Sequence, residues 1–183
     1  KRTIFEDQQD LERFYQSLIE FNSKEPIGSI FENSFNKDRS TKKLVDIICY
    51  CLNPNHYHLI VRQVAKNGIS EFMKRLGGYT WYFNSRHKRS GALFQGRFKS
   101  VHIESNEQLL HVSAYVNLNN QFNGKPFSLS KSSWLEYLGK EDGICNISVV
   151  LEQFRNISAY KSFATSSLKD ILERKALEKE LEL

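Results

Sequence analysis

The chain has 183 residues, of which 40% are hydrophobic and 26% charged, and its formal net charge is +5. This length fits one folded domain with an appendage. No segment approaches the ~20 consecutive apolar residues of a membrane-spanning helix, and the sequence starts without an apolar signal-peptide core. Three cysteines, an odd number, are consistent with a reducing compartment. We therefore expect a cytoplasmic protein.

The first part of the chain predicts a helix, a long loop and a strand hairpin. Asp7 can cap a helix that follows it. The apolar stripe of this helix is Leu11, Phe14, Tyr15, Leu18 and Ile19. Residues 22–43 predict a loop with a short helix around 30–35. The apolar run 44–52 predicts a buried strand, which pairs with a second strand over 57–62 after a turn at Pro54.

The second part predicts mainly helices. A basic helix is expected over 69–86, with its buried stripe at Ile69, Phe72, Met73, Leu76, Thr80 and Phe83. A strand is expected over 98–103. Ser105 and Gln108 have the spacing of a capping box, which predicts a helix over 106–121. Beyond residue 124, apolar periodicity predicts helices around 147–154 and 158–163, and the charge pattern predicts an exposed helix over 168–183.

Two histidines stand at the head of the second hairpin strand. Side chains alternate along a strand, so His56 and His58 share one face and Tyr57 lies on the other. Such a pair can hold one divalent ion. The same spacing also fits histidines that merely form hydrogen bonds at a strand end.

A tyrosine and an asparagine lie one turn apart on the predicted helix over 106–121. Tyr115 and Asn119 are separated by four residues and so share a helix face. Together they could supply a nucleophile and a third metal ligand. The alternative is a helical tyrosine with its hydroxyl at the surface.

Positive charge is concentrated between residues 62 and 101. This stretch has nine Lys or Arg residues against one acid, a local net charge of +8, and it is rich in aromatic residues. Such a composition predicts a nucleic-acid surface, because cations neutralise phosphates and aromatic rings stack on bases. The alternatives for single residues are core packing for an aromatic ring and a solvated face for a lysine. The candidate DNA contacts are Arg62, Lys74, Arg75, Tyr79, Arg86, Lys88, Arg89, Arg97 and Lys99.

Three blocks, in the same order, resemble the single-tyrosine transposases of the HUH nuclease superfamily, and most closely their REP-associated branch. They read LNPNHYHLIV, FMKRLGGYTWYFNSRHKRSGALFQGRFKS and YVNLNN. The resemblance covers about residues 3–125. It implies that His56 and His58 bind Mg²⁺ or Mn²⁺, that Asn119 completes the metal site, and that Tyr115 attacks DNA.

The resemblance also implies an activity and a fold. The expected enzyme cleaves and rejoins hairpin-forming single-stranded DNA through a 5′-phosphotyrosine intermediate, as a nucleoid-associated monomer or homodimer. The expected fold is α+β, with a ferredoxin-like or RRM-like antiparallel sheet and helices packed on it. Residues 1–125 would form the nuclease domain and residues 126–183 a C-terminal helical extension.

Two departures and two alternatives accompany this interpretation. The family usually has asparagine-proline where this chain has Asn119-Asn120, and the sequence begins just after the family's first strand, so we expect that strand to be missing from the sheet. One alternative is a non-catalytic module that binds single-stranded nucleic acid on the same scaffold. The other is a structural zinc protein, in which Cys49 and Cys51 join His56 and His58.

Overall fold

The protein is an α+β structure built on a three-stranded antiparallel sheet, which confirms the predicted fold class. A computed structural model describes residues 2–25, 28, 30, 42–121 and 129–181. The strands are β1 (Val45–Asn53), β2 (His56–Gln63) and β3 (Lys131–Ser132), in the spatial order β2-β1-β3. β3 pairs with the end of β1, with Cys51 opposite Ser132. The short helix predicted around residues 30–35 lies outside the described residues except for residue 30.

The β1–β2 hairpin forms as its sequence predicts. Apolar side chains occupy most of β1, and all its residues except Asp46 are buried, as expected for a strand covered on both faces. Pro54 and Asn55 make the turn, because proline and asparagine favour turn conformations. β2 is half-buried over most of its length and so presents part of its surface to solvent.

Within the described residues whose helix bounds are defined, three helices precede the exposed segment that leads to Tyr115. The first, α1 (Gln8–Glu20), begins after Asp7, whose side chain accepts a hydrogen bond from the Asp10 amide. The others are α2 (Gly68–Leu76) and α3 (Tyr79–Arg86). The prediction of one helix over 69–86 is therefore wrong. The break falls at Gly77 and Gly78, because paired glycines stabilise a helix poorly.

The strand predicted over 98–103 is also wrong. The segment has no strand assignment, and it has no strand neighbour within the described ranges. Val101 is 84% exposed and Phe98 is 47% exposed.

The tyrosine-bearing helix, α4 (Asn106–Asn117), starts at the predicted cap. Ser105 accepts a hydrogen bond from the Gln108 amide at 3.1 Å. The helix is shorter than predicted, since it gives way to a 3₁₀ turn over Asn119–Gln121. The remaining helices are α5 (Trp134–Tyr137), α6 (Ser148–Leu151) and α7 (Ile157–Leu181). The two helices predicted over 158–163 and 168–183 are thus one continuous helix as far as residue 181.

The chain divides into two compact units. The N-terminal unit contains residues 1–46, 54–56 and 61–100, and the C-terminal unit contains residues 47–53, 57–60 and 101–183. In the N-terminal unit, the rings of Phe14 and Tyr79 pack edge-on with centroids 5.0 Å apart. The proposed domain boundary at residue 125 falls in a range that the structure does not describe and stays a prediction.

The C-terminal unit has its own core. Cys49 and Cys51 of β1, Ala114 of α4 and Tyr160 of α7 are buried in it together. Side chains of the C-terminal extension therefore take part in the packing around α4. Within the described part of the chain, no helix combines the length and the apolar character needed to cross a bilayer.

Candidate active site and nucleic-acid surface

His58 and Tyr115 are in direct contact in the C-terminal unit. Their ring centroids lie 5.5 Å apart at an interplanar angle of 76°, an edge-to-face arrangement. β2 carries the histidine and α4 carries the tyrosine, and both side chains are half-buried. The structure thus brings together two of the residues that the sequence predicted to share a site, although 56 residues separate them in the chain.

His56 is oriented by its neighbour Asn55. The Nδ1 atom of His56 lies 2.5 Å from the Oδ1 atom of Asn55. An amide oxygen only accepts hydrogen bonds, so in the neutral imidazole this contact makes Nδ1 the donor and leaves the lone pair on Nε2. His56 opens β2 and precedes His58 by two residues, so strand alternation places the two imidazoles on one face of that strand. Tyr57 belongs to the other face, and burial raises its pKa to about 12.

Asn119 is buried and held by a residue that the sequence analysis missed. The Nδ2 atom of Asn53 donates to the Oδ1 atom of Asn119 at 2.8 Å, and Asn119 is only 6% exposed. Asn119 lies in the 3₁₀ turn after α4, so it does not continue the helix that carries Tyr115. The sequence signal that could have identified Asn53 was a polar residue at the end of the apolar run of β1, directly before Pro54.

The zinc alternative requires Cys49 and Cys51 to meet His56 and His58 in one cluster. Among the described residues, no group of three or more His, Cys, Asp or Glu side chains could hold a metal. The zinc alternative is therefore wrong. Burial raises the pKa of Cys49, and it raises the pKa of Cys51 to about 12, so both side chains are neutral core thiols.

Several of the predicted DNA contacts are engaged inside the N-terminal unit. Arg62 pairs with Asp46 at 2.5 Å, and Arg75 donates to Glu71 and to the Ser23 carbonyl. These guanidinium groups already have hydrogen-bond acceptors, so binding a phosphate would require exchange of partners. They hold the unit together in this structure.

Arg86 and Arg89 also have hydrogen-bond acceptors within the N-terminal unit. Arg86 binds Asp7 and Asp10 at 2.6 Å each, and this contact raises the pKa of the arginine and lowers the pKa of Asp7 to about 2. Arg89 donates to Asn84 at 2.6 Å. Both arginines are therefore engaged in contacts within the fold.

Tyr79 does not offer its ring to a base. It is 2% exposed, and its hydroxyl donates to the Ile4 carbonyl at 2.8 Å. Trp81, two residues later on α3, is 76% exposed. The two aromatic residues differ because Tyr79 follows Phe72 and Leu76 along the buried stripe, whereas Trp81 points away from that stripe. The helical spacing was the signal that identifies Trp81 as the exposed ring.

Besides Arg62, which pairs with Asp46, four predicted cations are exposed in the N-terminal unit. They are Lys74, Lys88, Arg97 and Lys99. The last two flank Phe98 in the extended segment that replaces the expected strand, and no ion pair to them occurs among the described residues. The four cations provide positive charge and Trp81 provides an accessible aromatic ring, and these are the two requirements for binding single-stranded nucleic acid. We call these five residues the basic surface.

Comparison with known families supplies one match. A family model described as "Transposase IS200 like" matches residues 12–119, more than half of the chain. The matched range includes the hairpin with His56 and His58 and the helix with Tyr115, and it ends at Asn119. Neither the curated proteins nor the solved structures contain a significant match to the chain.

Proposed function

The chain belongs to the IS200-like transposase family, and from this premise we propose that it cleaves and rejoins single-stranded DNA through a 5′-phosphotyrosine intermediate on Tyr115. Membership of the family implies DNA binding and DNA transposase activity in general. The contact between the His58 and Tyr115 rings is the observation that carries the finer proposal. It puts a potential nucleophile against a potential metal ligand.

In this proposal His56, His58 and Asn119 would hold Mg²⁺ or Mn²⁺. When bound, the cation would supply Lewis-acid polarisation of the scissile phosphate and would offset charge on its oxygens. Support comes from the buried amide of Asn119 and from the protonation of His56 at Nδ1, which directs the lone pair to Nε2. The contribution of the protein is to fix these donors before DNA arrives.

Tyr115 performs the covalent step. Its hydroxyl oxygen forms a bond to phosphorus while the bond from phosphorus to the 3′-oxygen breaks. The phenol loses its proton to solvent, and the leaving 3′-oxygen takes up one proton. One phosphodiester is exchanged for another, so a 3′-hydroxyl from a DNA end can later reverse the reaction and reseal a strand. No external energy source is required.

The basic surface holds the DNA in this proposal. Lys74, Lys88, Arg97 and Lys99 contact phosphates, and Trp81 stacks on an unpaired base. The sequence blocks around these residues support the REP-associated branch of the family, and with it a hairpin-forming substrate and a nucleoid-associated location. The protein would act as a monomer or homodimer.

Replacement of the tyrosine oxygen tests the proposed function. Tyr115→Phe should form no covalent adduct with a labelled hairpin oligonucleotide in Mn²⁺, because the ring stays and only the nucleophile is lost. Adduct is detected as a mass-shifted protein band. His56→Ala combined with His58→Ala should also abolish the adduct while the retention of DNA on filters persists. An adduct on Tyr115→Phe, or none on the wild type under any divalent ion, would refute the proposal.

A further inference from the structure

Residues beyond the family match bind directly to the helix that carries Tyr115. Tyr160 of α7 is completely buried, and its hydroxyl accepts a hydrogen bond from Asn117 Nδ2 at 2.8 Å. The same hydroxyl lies 3.2 Å from Ser113 Oγ. Ser113 and Asn117 are one helical turn apart on α4, and they precede and follow Tyr115 by two residues each. One hydroxyl from the C-terminal extension therefore bridges the two positions that bracket Tyr115.

The Leu110 carbonyl, the last acceptor of this series, fixes the directions of these hydrogen bonds. Ser113 donates to the Leu110 carbonyl at 2.7 Å, so its oxygen must act as the acceptor from Tyr160. Tyr160 accepts from Asn117 and donates to Ser113, which uses its single proton. Burial raises the pKa of Tyr160, so the hydroxyl stays protonated and this pattern is kept.

The hydrogen-bond chain continues to the central strand. Ser133 donates to Asn117 Oδ1 at 2.5 Å, and the Tyr50 amide of β1 donates to Ser133 Oγ at 2.9 Å. Ser113, Asn117 and Ser133 are all completely buried. A buried polar chain has one satisfied arrangement, because any shift leaves a donor or acceptor without a partner. It therefore ties the rotation of α4 to the strand β1.

Rotation of α4 decides where Tyr115 points. Successive residues of a helix are about 100° apart, so Tyr115 lies about 200° from Ser113 and projects from the side of α4 opposite the hydrogen-bonded face. Apolar packing of Ala114 and Val116 is not directional and permits small rotations. The hydrogen bonds to Tyr160 are directional and do not permit such rotations.

We propose that Tyr160 is a positioning residue for the nucleophile: the C-terminal extension sets the rotation of α4 and thereby holds Tyr115 against His58. This inference rests on the proposed function of Tyr115. It assigns a role in the reaction to a part of the chain that lies outside the family match.

Tyr160→Phe tests this role, and Tyr137→Phe is its matched control. Tyr137 is equally buried in the same unit and its ring packs against that of Tyr160, but its hydroxyl donates to the Ile48 carbonyl of β1 at 2.9 Å and not to α4. We expect Tyr160→Phe to lower the maximal single-turnover rate of adduct formation about tenfold or more relative to Tyr137→Phe. The DNA concentration that gives half this rate should not change, because the basic surface is intact.

Hydrogen–deuterium exchange of the α4 amides provides a second readout that is independent of activity. Exchange over residues 106–117 should be faster in Tyr160→Phe than in Tyr137→Phe at equal thermal stability. Ser113→Ala, which removes the acceptor for Tyr160 together with the donor to the Leu110 carbonyl but keeps the bond from Asn117, should reproduce a smaller part of both effects. Equal rates and equal exchange in the two phenylalanine variants would overturn the positioning role. Tyr115→Phe assayed in parallel separates the cases, since its retention of adduct would instead refute the proposed function.

Discussion

Asn53 and Asn119 are joined by a buried hydrogen bond from Nδ2 of the first to Oδ1 of the second, 2.8 Å long. The bond links the end of β1 to the turn after α4, and it determines which end of the Asn119 amide faces β1. An amide oxygen has two lone pairs, so it can accept this bond and also bind a cation. In the proposed metal site Asn53 would therefore orient Asn119, the role that residues around metal ligands usually have.

Removal of Asn53 should weaken metal binding. Asn53→Ala deletes the donor that orients Asn119, and we expect the Mn²⁺ affinity to fall about 10–100-fold. Isothermal titration of Mn²⁺ into the protein measures this without reference to activity. Asn120→Ala is the control, because its side chain donates to Ser130 and not to Asn119. Equal Mn²⁺ affinities in the two variants would show that Asn119 is not a metal ligand.

Trp81 and Tyr79 should differ sharply in their effect on DNA binding. Stacking of one base on an aromatic ring contributes about 1–3 kcal/mol, so Trp81→Ala should weaken binding of a single-stranded oligonucleotide about tenfold or more. Tyr79→Phe should leave this affinity unchanged and lower the melting temperature, since its hydroxyl binds the Ile4 carbonyl inside the core. Fluorescence anisotropy and thermal melts distinguish the two. An unchanged affinity in Trp81→Ala would show that Trp81 does not stack on the DNA.

The exposed lysines and arginines should make DNA binding depend on salt. The logarithm of the affinity for a single strand falls by about 0.7 per contacted phosphate for each unit of log salt concentration. Lys88→Ala should reduce the magnitude of this slope by about 0.7, the contribution of one phosphate contact. Arg62→Ala should change it little, because Arg62 is paired with Asp46 in the structure. The same reduction of slope in both variants would show that the internal pairing does not withhold Arg62 from DNA.

The Asp7–Arg86 contact predicts a loss of stability in acid. Arg86 lowers the pKa of Asp7 from 3.8 to about 2, so the folded state binds the Asp7 proton less readily than the unfolded state does. The stabilisation is complete above about pH 4 and is lost as the pH falls toward 2. Asp7→Asn keeps a good helix cap but removes the charge, so its melting temperature should be lower than that of the wild type at pH 6.

The difference in melting temperature between wild type and Asp7→Asn should then shrink between pH 4 and pH 2. Asp142→Asn, at an exposed site, serves as the control for a general effect of charge. A difference that stays constant across this range would show that Asp7 contributes as a cap and not as a carboxylate.

The cysteines of β1 should be unreactive in the folded protein. Burial raises the pKa of both Cys49 and Cys51, and the thiolate is the reactive form. Ellman's reagent at pH 8 should modify them only after denaturation. Rapid modification of both in the native state, or stoichiometric zinc that survives dialysis, would contradict the buried placement and revive a thiolate metal site.

Local features could be predicted from the sequence because they depend on neighbouring residues. The apolar run of β1, the Pro54 turn and the alternation of His56 and His58 specify the hairpin. Ser105 caps α4 through Gln108, only three residues away. The break between α2 and α3 was also readable in principle from two adjacent glycines, since their low helix propensity acts locally.

Contacts between distant residues were decided by the tertiary structure alone. Asn53 meets Asn119 across 66 residues, and Arg86 meets Asp7 across 79, so no local pattern indicates that these polar groups are already satisfied. The sequence alone determined the hairpin that presents two histidines and the helix that presents Tyr115. Only the folded chain decided that His58 and Tyr115 touch and which cations remain exposed, because the energy of a polar side chain depends on the partners that folding brings to it.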